Sequence, residues 1–321
     1  MGKKREIQCP PPADLPNPEK IDVEALLGGV KSGDIDIICV LGPTASGKTR
    51  YAVSLARQFA DLGMEAEIIS ADSRQVYRGM DIGTGKDLIE YGEIPYHLID
   101  IVPAGTRYSL FDYQRDFEKA YADIKGRGKF PIICGGTGLY IQAALSGFTL
   151  PEIPPDEALR ESLEQEDIEE LREKLLELRP VTDQSILESK RRTIRALEVA
   201  FYENEHPEVK RCRYSEKKAY YIGTLVSREK RNERIDRRLE ERLSEGMVDE
   251  VKGLLDSGVD AQTLIGYGLE YKYLTQYILG VNTYEEMKNL LGIAIHQFAK
   301  RQMTWFRGME RKGVRIHWTE V

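Results

Sequence analysis

The hydrophobic positions of this chain follow two patterns. Short runs that are largely apolar on consecutive residues stand at 35–41 (IDIICVL), 66–70 (AEIIS), 97–101 (HLIDI) and 130–134 (FPIIC). Around them, residues 48–62, 109–125 and 138–146 space their apolar side chains three and four apart. The first pattern suits strands buried on both faces, and the second suits helices with one face on a core. Together they predict an α/β fold, a parallel sheet flanked by helices.

Near residue 151 the pattern breaks. Residues 151–214 are helical in spacing and densely charged, which predicts an inserted helical subdomain. A strand returns at 219–226 (AYYIGTLV), long helices run to about Phe306, and 314–318 (VRIHW) reads as a last strand. Segments 35–150 and 215–321 would then form one core. Residues 1–34 are proline-rich and then weakly helical, and predict a poorly ordered N-terminal extension.

The first strand runs into GPTASGKT at 42–49, where Gly42, Gly47, Lys48 and Thr49 fit G-x-x-x-x-G-K-[ST]. Glycines let successive backbone N–H groups turn inward, and the following helix presents its positive end to an anion. Gly42, Pro43, Thr44, Ala45, Ser46, Gly47, Lys48 and Thr49 are therefore the candidate diphosphate-binding residues, with the Thr49 hydroxyl placed to hold Mg²⁺. With a strand before and a helix after, the sheet is P-loop NTPase-like. Whether the loop grips the tail of a nucleotide such as ATP or a departing diphosphate stays open on these residues alone.

Composition narrows the setting. The 321 residues suffice for a sizeable core, no apolar run reaches the length of a membrane span, and the start MGKKREIQCPPPADLP has no apolar signal core. Cys9, Cys39, Cys134 and Cys212 are scattered without C-x-x-C spacing, which favours free thiols in a reducing compartment. The expectation is a cytoplasmic monomer with no membrane partner. Net charge is −7, but it is unevenly placed: residues 151–189 carry 13 acidic against 4 basic side chains, and residues 190–238 carry 15 basic against 8 acidic. A local basic region of that kind can bind a polyanion whatever the total.

Three further features carry chemistry. Asp72 follows the strand at 66–70 and so falls at the carboxyl edge of the sheet, where it suits either a Mg²⁺-holding acid or a general base. Thr137 lies in a second glycine-rich turn, CGGTGLY at 134–140, able to offer a hydroxyl to a phosphate or an acceptor. Arg231, Arg234, Arg238 and Arg242 share one helical stripe beside Ile235, Leu239 and Leu243; this is a solvated charged face or an anion clamp. The basic run Lys190, Arg191, Arg192 and Arg195 admits solvated charge or contact with an RNA backbone.

Read in order, GPTASGKT, SADSRQVYRGMDIGT, HLIDI, GGTGLY, RALEV and KRQMTWFR resemble the tRNA dimethylallyltransferase (isopentenyl-tRNA transferase) family over roughly residues 35–307. The resemblance implies a donor, dimethylallyl diphosphate, whose diphosphate leaves while N6 of the adenosine 3′ of the anticodon attacks the allylic carbon. It implies Asp72 as the base, Thr137 at the reacting centre, and Arg234 and Arg238 with Lys48 and Mg²⁺ on the diphosphate. It further implies that Asp72, Ser73, Arg74 and Gln75 meet the tRNA, with Arg191, Arg192, Arg195, Gly266 and Tyr267. The chain departs from the family pattern at Glu188-Ser189, where Asn-Asp is usual. Gly268 stands where Lys or Arg follows Gly-Tyr, and Ile295-His296 replaces Thr-Arg. Those departures imply tRNA held with fewer charged contacts. Competing expectations are a non-catalytic paralogue that binds tRNA or nucleotide, a prenyltransferase of free adenine nucleotides, and a small-molecule P-loop kinase.

Overall fold

The computed structural model describes residues 16–147, 149–181, 183–208 and 211–321. Six parallel strands form the central sheet: β1 Ile37–Leu41, β2 Ala66–Ser70, β3 Tyr96–His97, β4 Phe130–Gly135, β5 Ala219–Leu225 and β6 Ile316–Glu320. Their order is β6-β5-β1-β4-β2-β3. Twelve α-helices accompany them among the described residues: α1 Val23–Ser32, α2 Lys48–Asp61, α3 Leu110–Gly126, α4 Gly138–Leu145, α5 Glu157–Glu164, α6 Ile168–Leu178, α7 Lys190–Glu205, α8 Arg228–Ser244, α9 Met247–Asp256, α10 Ala261–Tyr267, α11 Leu269–Ile278 and α12 Tyr284–Arg311.

Alternate residues of each central strand point to opposite faces, and two cores result. Ile38, Val40, Ile68, Ile132 and Ile222 pack with Leu26 and Leu27 of α1 and with Ala52, Leu55 and Phe59 of α2. Ile37, Cys39, Leu41, Ile69 and Ile133 pack on the other face with Tyr113 and Phe117 of α3, Tyr140 of α4 and Phe306 of α12. A third cluster, including Ile235 and Leu239 of α8, joins α9–α12 to Val76, Tyr77 and Met80.

By its contacts the chain divides into two units, Met1–Gly147 with Ser215–Val321, and Phe148–Tyr214. The second unit holds α5–α7 around Leu163, Leu171, Leu175, Ile194 and Leu197, and an antiparallel pair of short strands, Thr149–Pro151 and Arg211–Arg213.

Two expectations change. The proposed extension includes α1, capped by Asp22 accepting from Ala25 N and ended by Gly33 at φ +78°, so residues 23–32 are ordered against the sheet; residues 1–15, with Cys9, lie outside the described residues. The strand expected at 97–101 stops at His97, because Leu98 and Asp100 take φ of +62° and +55°. The chain turns there to let Asp100 N and Ile101 N donate to Gln75 O and Val76 O, pinning the segment that follows Asp72.

The strand that delivers Asp72 is held by charge as well as by apolar contact. Glu67 of β2 is only 2% exposed and accepts from Arg127 Nη1 and Nη2 at 2.5 and 2.7 Å, with His97 Nε2 at 2.7 Å and Lys129 Nζ at 3.1 Å. Arg127's hydrogen bonds, which outweigh the cost of burial, hold the Glu67 carboxyl down to about 2 from an ordinary 4.5. A depressed carboxyl contributes stability that is complete above its unfolded pKa and lost as pH falls through the folded one. Glu67→Gln should therefore destabilise the protein at neutral pH by about 1–3 kcal/mol, the partners being partly solvated. It should also flatten the loss of stability between pH 4.5 and about 2. Urea unfolding across that range checks both effects.

Candidate functional site

Because all six strands are parallel, their carboxyl ends share one edge, where loops can gather around a ligand. Leu41 pairs with Gly135 and with Gly223, so the loop after β1, the turn after β4 and the approach to α8 start side by side.

The loop after β1 is shaped by packing. A Cβ at Gly42 would lie 2.2 Å from Thr224 Oγ1 and 2.6 Å from Ser46 Oγ, and those two hydroxyls sit 2.6 Å apart in a buried hydrogen bond. Ala45 and Gly47 turn the chain with φ of +60° and +81°. Gln302 of α12 accepts from Thr44 N at 2.8 Å and donates from Nε2 to Gly136 O at 2.9 Å, tying both glycine-rich turns to one side chain. Lys48 Nζ donates to Pro43 O at 3.2 Å, and burial lowers its pKa below the usual lysine value. Thr49, beside the Cys134 thiol that burial pushes up to about 12, lies in the first turn of α2.

A polar cavity of about 440 Å³ opens at this edge. Thr44, Ala45, Gly47, Lys48 and Thr49 form one wall, Asp72 and Gln75 another, Thr84, Gly85 and Asp87 a third, and α8 closes it with Arg234, Arg237, Arg238 and Arg242. Ile235 and Leu239 bury the apolar stripe of α8, which fixes the arginine stripe toward the cavity. Arg234 Nη1 lies 3.5 Å from Ala45 O, and Arg238 Nη2 lies 3.3 Å from Asp87 Oδ2. Burial and the neighbouring Arg242 charge weaken the hold of Arg238 on its proton. With Glu90, Glu241 and Glu245 also on its walls, the cavity sets a row of arginines beside a P-loop, an arrangement suited to a polyphosphate.

The candidate residues separate by position. Gly42, Pro43 and Ser46 do not line the cavity; they set the loop's path. Arg231 does not line it either, and its buried Nε makes no hydrogen bond. Asp72 Oδ1 accepts from Arg74 N at 2.9 Å, and Thr137 Oγ1 accepts from Ser73 N at 3.2 Å, so the turn after β4 holds the Asp72 segment directly. Arg74 stacks over Tyr267, centroid distance 5.2 Å. Tyr267 itself is buried against Tyr77 and accepts from Gly105 N, making it a support for Arg74 more than an exposed surface. In the second unit Arg191 and Arg192 are exposed, whereas Arg195 is engaged by buried Glu198 and by Ile153 O at 3.2 Å. Arg195 keeps a 42% exposed side chain while holding these two internal partners. Gln302, Asp87 and Glu90, which line or brace the cavity, escaped the sequence reading; the helical spacing of 300–307 was the available signal for Gln302.

Among the described residues no group of three or more His, Cys, Asp or Glu side chains is disposed to hold a metal. The donors that share the cavity, the Thr49 hydroxyl and the Asp72 carboxylate, suit an ion that completes its shell with phosphate oxygens and water, as Mg²⁺ does.

Against known proteins, the model of the family described as IPP transferase matches residues 75–309, a span that starts after the P-loop and Asp72. The tRNA dimethylallyltransferase 1 of Parabacteroides distasonis is 52% identical over 291 residues, covering 89% of this chain and 92% of that one. The tRNA dimethylallyltransferase 2 of Porphyromonas gingivalis is 53% identical over 289 residues, covering 89% and 94%. Among solved structures, the tRNA isopentenylpyrophosphate transferase of Bacillus halodurans is 35% identical, with a TM-score of 0.64 and 89% of each chain covered.

Two of the three positions that depart from the family pattern have local structural roles. His296 Nε2 pairs with Asp236 Oδ1 at 2.7 Å, joining α12 to α8. Gly268 links α10 to α11 at φ +77° and ψ −176°, a conformation open essentially to glycine. A lysine restored there would strain the backbone. Gly268→Ala should cost about 1–3 kcal/mol, whereas Gly266→Ala, inside α10 with open space around it, should be neutral. Thermal unfolding of the two variants checks the contrast; equal melting temperatures would contradict it.

Proposed function

Because the chain belongs to the IPP transferase family, we propose that it is a tRNA dimethylallyltransferase. It would transfer the dimethylallyl group of dimethylallyl diphosphate to N6 of the adenosine 3′ of the anticodon, position 37, in tRNA. The observation that carries the proposal is one cavity holding a P-loop, a carboxylate at Asp72 and a row of arginines. A cytoplasmic, monomeric enzyme is the setting we assign; the unlinked buried thiols of Cys39 and Cys134 agree with a reducing compartment.

In the proposed reaction the N6 lone pair attacks C1 of the donor, the C1–O bond breaks, and its electrons leave with the diphosphate. Lys48, Arg234 and Arg238 stabilise the charge that grows on the departing oxygens, the kind of preorganised electrostatic contribution that lowers such barriers most. Mg²⁺ held by Thr49 would neutralise part of the diphosphate charge. Asp72 accepts the N6 proton, and its backbone partner Arg74 N keeps one carboxylate oxygen oriented. An adenine amine is a weak nucleophile, so placing it against the donor matters as much as the base. To reach the cavity the adenine must leave its stack, and Ser73, Arg74, Gln75 and Thr137 would flank its entry.

Offering labelled dimethylallyl diphosphate with total tRNA, AMP and ATP tests the proposal. Label should enter tRNA; label in AMP or ATP alone would reassign the acceptor, and label in none would contradict transfer. Asp72→Ala should lower kcat about 10²–10⁴-fold with donor affinity nearly unchanged. Restoration of activity by excess Mg²⁺ would instead make Asp72 a metal ligand. Arg234→Ala should lower kcat about 10²–10³-fold. Arg231→Ala, outside the cavity, should be mild, and equal losses in single-turnover rates would remove Arg234 from the site.

A further inference from the structure

Across the cavity from the P-loop, residues 84–87 meet the last turns of α8. The Asp87 carboxylate stands before two guanidinium groups, 3.3 Å from Arg238 Nη2 and 4.0 Å from Arg242 Nη2. It is 55% exposed, while the Arg242 side chain is 15% exposed and its Nη2 is buried with no hydrogen bond. A Cβ at Gly85 would fall 1.8 Å from Arg242 Nη2 and 2.8 Å from Arg238 Nη2. The bare backbone of Gly85 is what gives both arginines access to this wall.

The wall itself is firmly held. Lys86 Nζ, with a fully buried side chain, donates to Tyr77 O at 2.5 Å, to Asp81 Oδ1 at 2.8 Å and to Asp100. Glu250 of α9 accepts from Asp81 N, Ile82 N and Gly83 N at 2.8, 2.6 and 3.1 Å, and from Tyr271 OH at 2.7 Å. Two cations are therefore fixed in a partly dry site with the half-solvated Asp87 at ion-pair distance and Glu270 beside them, and Arg242 Nη2 still has an unmet donor. Buried charge of that kind is costly until an anion with several oxygens completes it.

We propose that Arg242 is a further diphosphate-binding residue, and that Asp87 is an internal stand-in anion which releases Arg238 and Arg242 when the diphosphate arrives. The inference rests on the diphosphate reading of the cavity. A diphosphate offers both arginines several charged oxygens at once, whereas Asp87 offers one oxygen and regains water when displaced. Asp87 consequently competes with the ligand.

Calorimetric titration with inorganic pyrophosphate and Mg²⁺ tests this in the full-length protein. Arg242→Met should weaken pyrophosphate binding about 10-fold, the value of one charge-assisted contact. It should keep or raise the melting temperature, since it removes an unsatisfied buried donor. Asp87→Asn should tighten binding by about 3- to 10-fold, by removing the competing charge. If Arg242→Met leaves pyrophosphate affinity unchanged while lowering the melting temperature, Arg242 is structural and the inference fails, with the cavity's role intact. Weaker binding in Asp87→Asn would make Asp87 a positioning residue and overturn the exchange. If the unaltered protein does not bind pyrophosphate, the diphosphate reading fails and takes the inference with it.

Discussion

The constraint on which this structure depends is the repulsion among cations gathered at one end of the sheet. Lys48, Arg234, Arg238 and Arg242 line one cavity together with Asp72, Asp87, Glu90, Glu241 and Glu245, of which Asp87 lies 3.3 Å from Arg238 and 4.0 Å from Arg242. Like charges in a partly desolvated space do not stay together unless the scaffold holds them or an anion joins them. Burial and the Arg242 charge disfavour the charged form of Arg238, and Asp87, Glu90 and Glu270 offset them in part.

The scaffold holds the cluster from several directions. The apolar stripe of α8 sinks into the third core and leaves the arginine stripe nowhere else to face. Gln302 couples the P-loop to the turn before α4, so a shift of α12 would disturb both. Thr137, at the head of α4, reaches back to the Asp72 segment. The proposed diphosphate and acceptor sites thus share their supports.

Much of this was legible in the chain. Runs of apolar residues located β1, β2, β4, β5 and β6 within a few positions, because strands buried on both faces leave little room for polar residues. The P-loop and Asp72 were legible because each directly follows such a strand. The run at 97–101 misled because apolar content does not reveal that Leu98 and Asp100 bend the chain away. Helical spacing showed an arginine stripe but not which members face the cavity; that depends on where α8 crosses the loop at 84–87. The i,i+3 spacing of Arg195 and Glu198 on α7 was in the chain, but not that Glu198 is buried and shared with Arg160 of α5. The role of Gly268 rests on its backbone angles, which neighbouring residues do not announce.

In the proposed reaction the P-loop and arginines grip a diphosphate that departs whole, not the tail of a nucleotide. Stoichiometry tests this, with phosphate products and prenylated adenosine measured together as the protein acts on dimethylallyl diphosphate, tRNA and ATP offered in one mixture. One pyrophosphate should be released for each N6-dimethylallyl adenosine formed, with no orthophosphate. Orthophosphate released from ATP without prenyl transfer would contradict it.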